Sequence, residues 1–180
     1  MRYDCPVSSI PIERNEVGTY APQIGNWLQN AGYDTTYVLH NPYLVTTSYT
    51  SVGKDKIEVA KEKYSKFEKV WNYFESYLKS GGKILPEIPS KTHIKRNIDN
   101  SVPVVALMTT HFSHKSKPSF NYHAMLVVGY DKKGVFILDP YPYEDLPSSR
   151  HMQWKEFFFG LYASSAGDPD NGGFLTITPP

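Results

Sequence analysis

Cys5, His123 and Asp139 are three side chains whose types and order fit acyl transfer through a thiol. A cysteine thiolate is a strong nucleophile, and an imidazole beside it can take and return a proton. A carboxylate on the far ring nitrogen holds that imidazole in the useful tautomer and orientation. His123 stands near the head of Asn121-Tyr-His-Ala-Met-Leu-Val-Val-Gly-Tyr-Asp131, and Asp139 falls at the tail of Val135-Phe-Ile-Leu-Asp-Pro140. Cys5 is the only cysteine among 180 residues, which excludes an internal disulfide framework and a structural zinc site built on several thiolates.

Each of the three also has a common structural use. A His opening an apolar strand is often a satisfied scaffold residue, an Asp before Pro often bonds nearby backbone N–H groups in a turn, and a free Cys often behaves as a small buried hydrophobe. Their joint arrangement is what points to chemistry. His111 and His114 raise a metal reading together with His123, but no acidic or thiol ligand flanks them at a recognisable spacing. The stretch 111–119 therefore reads as a flexible polar loop beside the site. There is no Gly-rich phosphate loop, zinc signature or internal repeat, so no cofactor is expected.

Bringing His123 to Asp139 requires a hairpin. Val127-Val128 and Val135-Phe136-Ile137-Leu138 are strand-forming runs, and Tyr130-Asp131-Lys132-Lys133-Gly134 between them has the composition of a tight turn. Folded back antiparallel, the pair sets His123 and Asp139 at the same end of the sheet. Val102-Pro-Val-Val-Ala-Leu-Met-Thr109 is a near-continuous apolar run, expected as a central strand buried on both faces. Thr35–Leu39 and Gly173–Thr178 read as further strands.

Helices are expected around these strands. Residues 19–31 carry Thr19 as a cap, Pro22 in the first turn, an apolar stripe of Ile24, Trp27, Leu28 and Ala31, and Gly32 as the stop. The spacing of Ile57, Ala60, Tyr64, Phe67, Val70, Trp71, Phe74 and Leu78 predicts one long helix over 54–80, ended by Gly81-Gly82. Residues 91–99 form a short amphipathic segment, Pro140-Tyr-Pro-Tyr143 a rigid turn, and residues 152–160 a helix with an aromatic face.

Composition narrows the partners. The length suits one domain over 1–180, and 40% hydrophobic residues can fill its core. With 19 basic against 18 acidic side chains and a net charge of +1, no global field draws the protein to nucleic acid or an anionic membrane. No apolar run is long enough to span a bilayer, and the chain as given begins without an export signal. A lone thiol fits a reducing, cytoplasmic setting, with secretion the alternative if a leader has been removed. Oligomeric state leaves no trace in the sequence. Many of the 14 tyrosines, among them Tyr43, Tyr49, Tyr122, Tyr141, Tyr143 and Tyr162, fall near loops, where they pack at rims or line a groove for an extended ligand.

Gly18-Thr19 opening a helix that ends in Ala31-Gly32, the Pro103-led strand, His123-Ala124 with Val127-Val128-Gly129-Tyr130-Asp131, then Asp139-Pro140, a Trp154/Phe157 helix and a terminal strand form a recognisable succession. It resembles the bacteriocin-processing cysteine peptidases, the papain-like domains that cleave double-glycine leaders, and their stand-alone relatives (cysteine peptidase family thirty-nine). The resemblance runs from about residue 18 to 178 and is most specific at the His strand and its Asp-Pro partner. It implies an α+β papain-like fold, an antiparallel sheet with helices packed on it, and a peptide or protein substrate. It maps His123 onto the catalytic base, Asp139 onto the residue that orients it and Cys5 onto the nucleophile. Family members set that cysteine in an Asp-Cys-Gly context opening a helix, with a Gln a few residues earlier. Here Asp4-Cys5 is followed by Pro6 and no Gln precedes it, so the backbone N–H of Cys5 becomes the first oxyanion donor. The implied activity is peptide hydrolysis. A weak or inactive module that binds an extended peptide, and an acyltransferase using the same triad, are the alternatives.

Overall fold

The computed structural model of the protein describes residues 19–44, 52–113, 119, 121–140 and 147–178. Cys5 and His114 lie outside the described residues, as do Tyr49, Tyr141, Tyr143 and most of the expected 140–143 turn. The described strands are β1 (Asp34–Leu39), β2 (Lys83–Leu85), β3 (Val104–Thr109), β4 (Tyr122–Tyr130), β5 (Gly134–Leu138), β6 (Ser149–Gln153) and β7 (Gly173–Thr178). They form one sheet in the order β2-β1-β7-β3-β4-β5-β6. The β1–β2 pairing is parallel and the other pairings are antiparallel.

The expected central strand is central. Every residue of β3 is buried, because the sheet is covered on both faces and the two-residue period sends alternate side chains into two separate cores. Val105 and Leu107 join one core with Tyr37, Leu39, Ile84 and Leu175. It is closed by α1 (Ala21–Asn30), α2 (Lys54–Lys63) and α3 (Glu68–Lys79), through Ala21, Ile57, Ala60, Trp71, Phe74 and Tyr77. Val104, Ala106 and Met108 join the other core with Met125, Val127, Ile137 and Phe174. That core is closed by α4 (Lys91–Asp99) and α5 (Trp154–Ser164), through Ile94, Trp154, Phe157 and Leu161. The architecture is α+β, as expected.

The long helix expected over 54–80 is two helices. The chain leaves helical geometry at Tyr64 (φ −127°, ψ 54°) and passes through a 3-10 turn, Ser65–Phe67, before α3 begins. An unbroken helix of that length would run to about 40 Å, far past a strand of six residues. The break lets both apolar stripes reach the same core. The Trp71 indole N–H donates to the Tyr64 carbonyl at 3.0 Å, giving that oxygen a partner, and Lys61 reaches Asn72 (2.6 Å) and Glu75 (3.5 Å) across the pair. Gly81 adopts φ +99°, and the Tyr77 ring lies so close to Gly82 that an added Cβ would sit 2.1 Å from it.

Two other boundaries differ from expectation. The N-cap of α1 is Tyr20 and not Thr19; the Tyr20 N–H donates to the Gln23 side chain at 2.9 Å. Met152 and Gln153 belong to β6, because Val135 pairs with Met152 and Ile137 with Arg150, and α5 starts only at Trp154. As a strand residue Met152 is buried in the core closed by α4 and α5.

Candidate active site

The β4–β5 hairpin turns at Asp131, whose carboxylate accepts the N–H groups of Lys133 and Gly134, each at 2.7 Å. Those bonds hold Asp131 below the usual carboxylate range, with the Gly134 N–H the largest cause. Pairing of Leu126 with Leu138 sets the register, and a bulge between Val127 and Gly129 adds local twist. Met125, Val127 and Ile137 face the α4–α5 core, so by the two-residue period His123 and Asp139 face that side as well.

They meet. His123 Nε2 and Asp139 Oδ1 are 2.6 Å apart, with the Asp139 side chain 1% exposed and His123 19% exposed. With Nε2–H donating to the carboxylate, Nδ1 is the ring nitrogen that can accept a proton. Two groups that sequence reasoning missed clamp the other carboxylate oxygen. Thr110 Oγ1 donates to Asp139 Oδ2 at 3.1 Å, and Arg150 Nη2 donates to it at 2.9 Å. Arg150 was legible in principle, because in Ser-Arg-His-Met-Gln it shares a face with the apolar Met152 and so has to point inward. Thr110 carries no sequence signal beyond following a buried strand.

His111 departs from the expected flexible loop. It lies in a 3-10 turn, His111–Ser113, directly after Thr110, is 2% exposed, and its ring centroid stands 5.2 Å from that of His123. Gly160 allows this packing. A Cβ there would sit 2.2 Å from the Thr109 carbonyl oxygen and 2.9 Å from the Phe112 ring, so α5 can approach the end of β3 only without a side chain at 160.

The N-terminus of α1 is held from another element. Ala21 N–H donates to Asp170 Oδ2 at 2.9 Å, while the Tyr37 hydroxyl donates to the Asp170 carbonyl. Asp170 is fully buried, and burial, reinforced by the nearby Asp168 and only partly offset by the Ala21 N–H, pushes its carboxyl up to about 7. Tyr20 at the cap packs on Tyr73, ring centroids 5.4 Å apart. Of the expected triad, the structure brings His123 and Asp139 together, and Cys5 lies outside the described residues.

A protein-family model described as the Peptidase_C39 like family matches residues 13–167. No curated protein and no solved structure matches the chain. The matched span contains both His123 and Asp139 and starts after Cys5. A mostly antiparallel sheet carrying helices on both faces agrees with the papain-like fold that such a match implies. Because the match covers well over half of the chain, including the β4–β5 hairpin and the residues that clamp the buried carboxylate, the chain belongs to the Peptidase_C39 like family.

Proposed function

We propose that the protein is a cysteine peptidase that hydrolyses a peptide substrate, with His123 as general base, Asp139 as the group that orients it and Cys5 as the nucleophile. The observation that carries the proposal is the 2.6 Å contact between His123 and a buried carboxylate whose second oxygen is already bound. A carboxylate fixed on both oxygens holds one tautomer of the ring, and the proton-accepting nitrogen is then Nδ1. In the reaction Nδ1 takes the Cys5 proton and the thiolate attacks the peptide carbonyl. The tetrahedral intermediate expels the amine, which leaves with the proton held on Nδ1, and water then hydrolyses the thioester with the same nitrogen as base.

A specific observation favours a second reading, a module that binds an extended peptide without cleaving it. The family match begins at residue 13 and contains no cysteine, and the first described helix opens on Tyr20-Ala21-Pro22, with no thiol where a helix N-terminus would lower its pKa. Iodoacetamide labelling separates the two. An activated Cys5 is alkylated rapidly at neutral pH, and His123→Ala slows the reaction by about tenfold or more through loss of the thiolate. Slow labelling that is the same in both proteins would overturn the peptidase and leave the binding module.

A further inference from the structure

The segment that follows β3 reaches both members of the His123–Asp139 pair. Met108 pairs with His123 and Thr109 with Tyr122, so β3 ends beside the imidazole and the turn starts next to it. Thr110 Oγ1 donates to Asp139 Oδ2 at 3.1 Å. The next residue, His111, sets its ring centroid 5.2 Å from that of His123, with the two ring planes 38° apart. Two consecutive side chains thus hold the carboxylate and lie against the imidazole.

The segment is held on several sides. Ser113 closes it on the Thr110 carbonyl with its N–H at 3.2 Å and its hydroxyl at 2.8 Å, and the Ser119 N–H donates to the His111 carbonyl at 3.1 Å. Gly160 of α5 brings the helix backbone against the Thr109 carbonyl and the Phe112 ring, where a Cβ would not fit. His111 is 2% exposed, so its ring cannot turn away from His123 without unpacking this corner.

We propose that His111 is a positioning residue for His123, one that sets the plane of its ring and so the direction of its Nδ1 lone pair. A hydrogen bond at Nε2 fixes where that nitrogen sits but lets the ring plane turn about the bond. The Nδ1 lone pair points off that axis, so turning the plane redirects it. A ring packed on the imidazole takes up this freedom, and a misplacement of about 1 Å in a reacting group can cost about a hundredfold in rate. The proposal rests on the reading of His123 as general base.

The test compares His111→Phe, which keeps a flat ring without the nitrogens, with His111→Ala, which removes the ring, both in the whole chain. One readout is the His123 Nε2–H signal in a ring proton–nitrogen spectrum, and the other is the rate at which iodoacetamide alkylates Cys5. The signal should stay sharp in the parent and in His111→Phe and be broadened or lost in His111→Ala. Labelling should slow by about tenfold in His111→Ala and stay within about twofold of the parent in His111→Phe. A parent-like His123 signal in His111→Ala, or a His111→Phe that behaves as His111→Ala does, would overturn the assignment. Should His111→Ala unfold, the His123 signal of His111→Phe decides alone, kept if the ring contact is what positions His123 and lost if it is not. Slow labelling that is equal in the parent and in His123→Ala would remove the peptidase reading, and the His123 signal would then judge the role of His111 by itself.

Discussion

Arg150 donates to the oxygen of Asp139 that His123 does not hold, at 2.9 Å, from a side chain only 11% exposed. The buried carboxylate therefore answers to a permanent cation as well as to the imidazole. Arg150→Ala leaves Asp139 with an uncompensated share of its charge, and breaking a buried pair from one side costs about 3–5 kcal/mol. Urea denaturation should show a loss in that range. Thr110→Val should cost about 1–2 kcal/mol, the price of one buried acceptor losing a neutral donor. A loss below about 1 kcal/mol in Arg150→Ala would mean that the clamp does not hold the carboxylate.

Asp139→Asn tests the orienting role. The amide has one acceptor oxygen for three donors, His123 Nε2–H, Thr110 and Arg150, so the ring loses its fixed tautomer even if it stays in place. In a peptide-hydrolysis assay kcat/KM should fall by about two to four orders of magnitude with little change in KM. A change smaller than about fivefold would remove Asp139 from the reaction.

Asp170 sets a pH dependence of stability. Its carboxyl, which titrates near 3.8 when free in water, is pushed up to about 7 in the fold, so the folded chain keeps a proton that the unfolded chain releases. The contribution of this group is fully favourable below pH 3.8 and is lost as pH rises toward about 7, after which it is constant. The groups facing it are Asp168, whose charge adds to the rise, the Ala21 N–H and the Tyr37 hydroxyl, which is itself pushed well above 10.0 by burial. Asp170→Asn retains an oxygen for the Ala21 N–H and removes the titration. Melting curves from pH 4 to 8 should show a flatter profile for the variant and a higher Tm at pH 8. An unchanged slope would show that Asp170 is not the titrating group.

Gly160→Ala probes the contact between α5 and the end of β3. The new Cβ would lie 2.2 Å from the Thr109 carbonyl oxygen, a backbone atom that cannot swing aside. A loss of about 2–3 kcal/mol is expected from overpacking, read by urea denaturation, together with shifted imidazole resonances of His111 and His123. Parent-like stability and imidazole shifts would place slack at this contact.

The His123–Asp139 pair was legible because it needed only local information. The two apolar runs, the turn chemistry at Asp131 and the antiparallel return bring both residues to one end, and a hairpin carries its geometry in its own sequence. The α4 boundaries and the β7 span were legible for similar reasons, a short amphipathic period and a terminal β-branched run. The break at Tyr64 was not. Its apolar spacing continues at helical period through the kink, and what bends the chain is the packing of two helices on one core and the Trp71 indole at a freed carbonyl. β2 escaped notice because three residues give no period, and β6 because its alternation is polar on one side and runs directly into a helix.

What the sequence determined alone is α1, α4, five of the seven strands, the burial of β3 and the placing of one imidazole and one carboxylate at the same strand ends, since each follows from periodicity or turn chemistry within a few residues. Only the tertiary structure decided that Arg150 and Thr110 close on Asp139, that His111 packs its ring against His123, and that Asp170 caps a helix far away in sequence. Those contacts join segments whose approach is set by how two cores fill on either side of one sheet. No local pattern encodes which distant side chain will satisfy a buried charge.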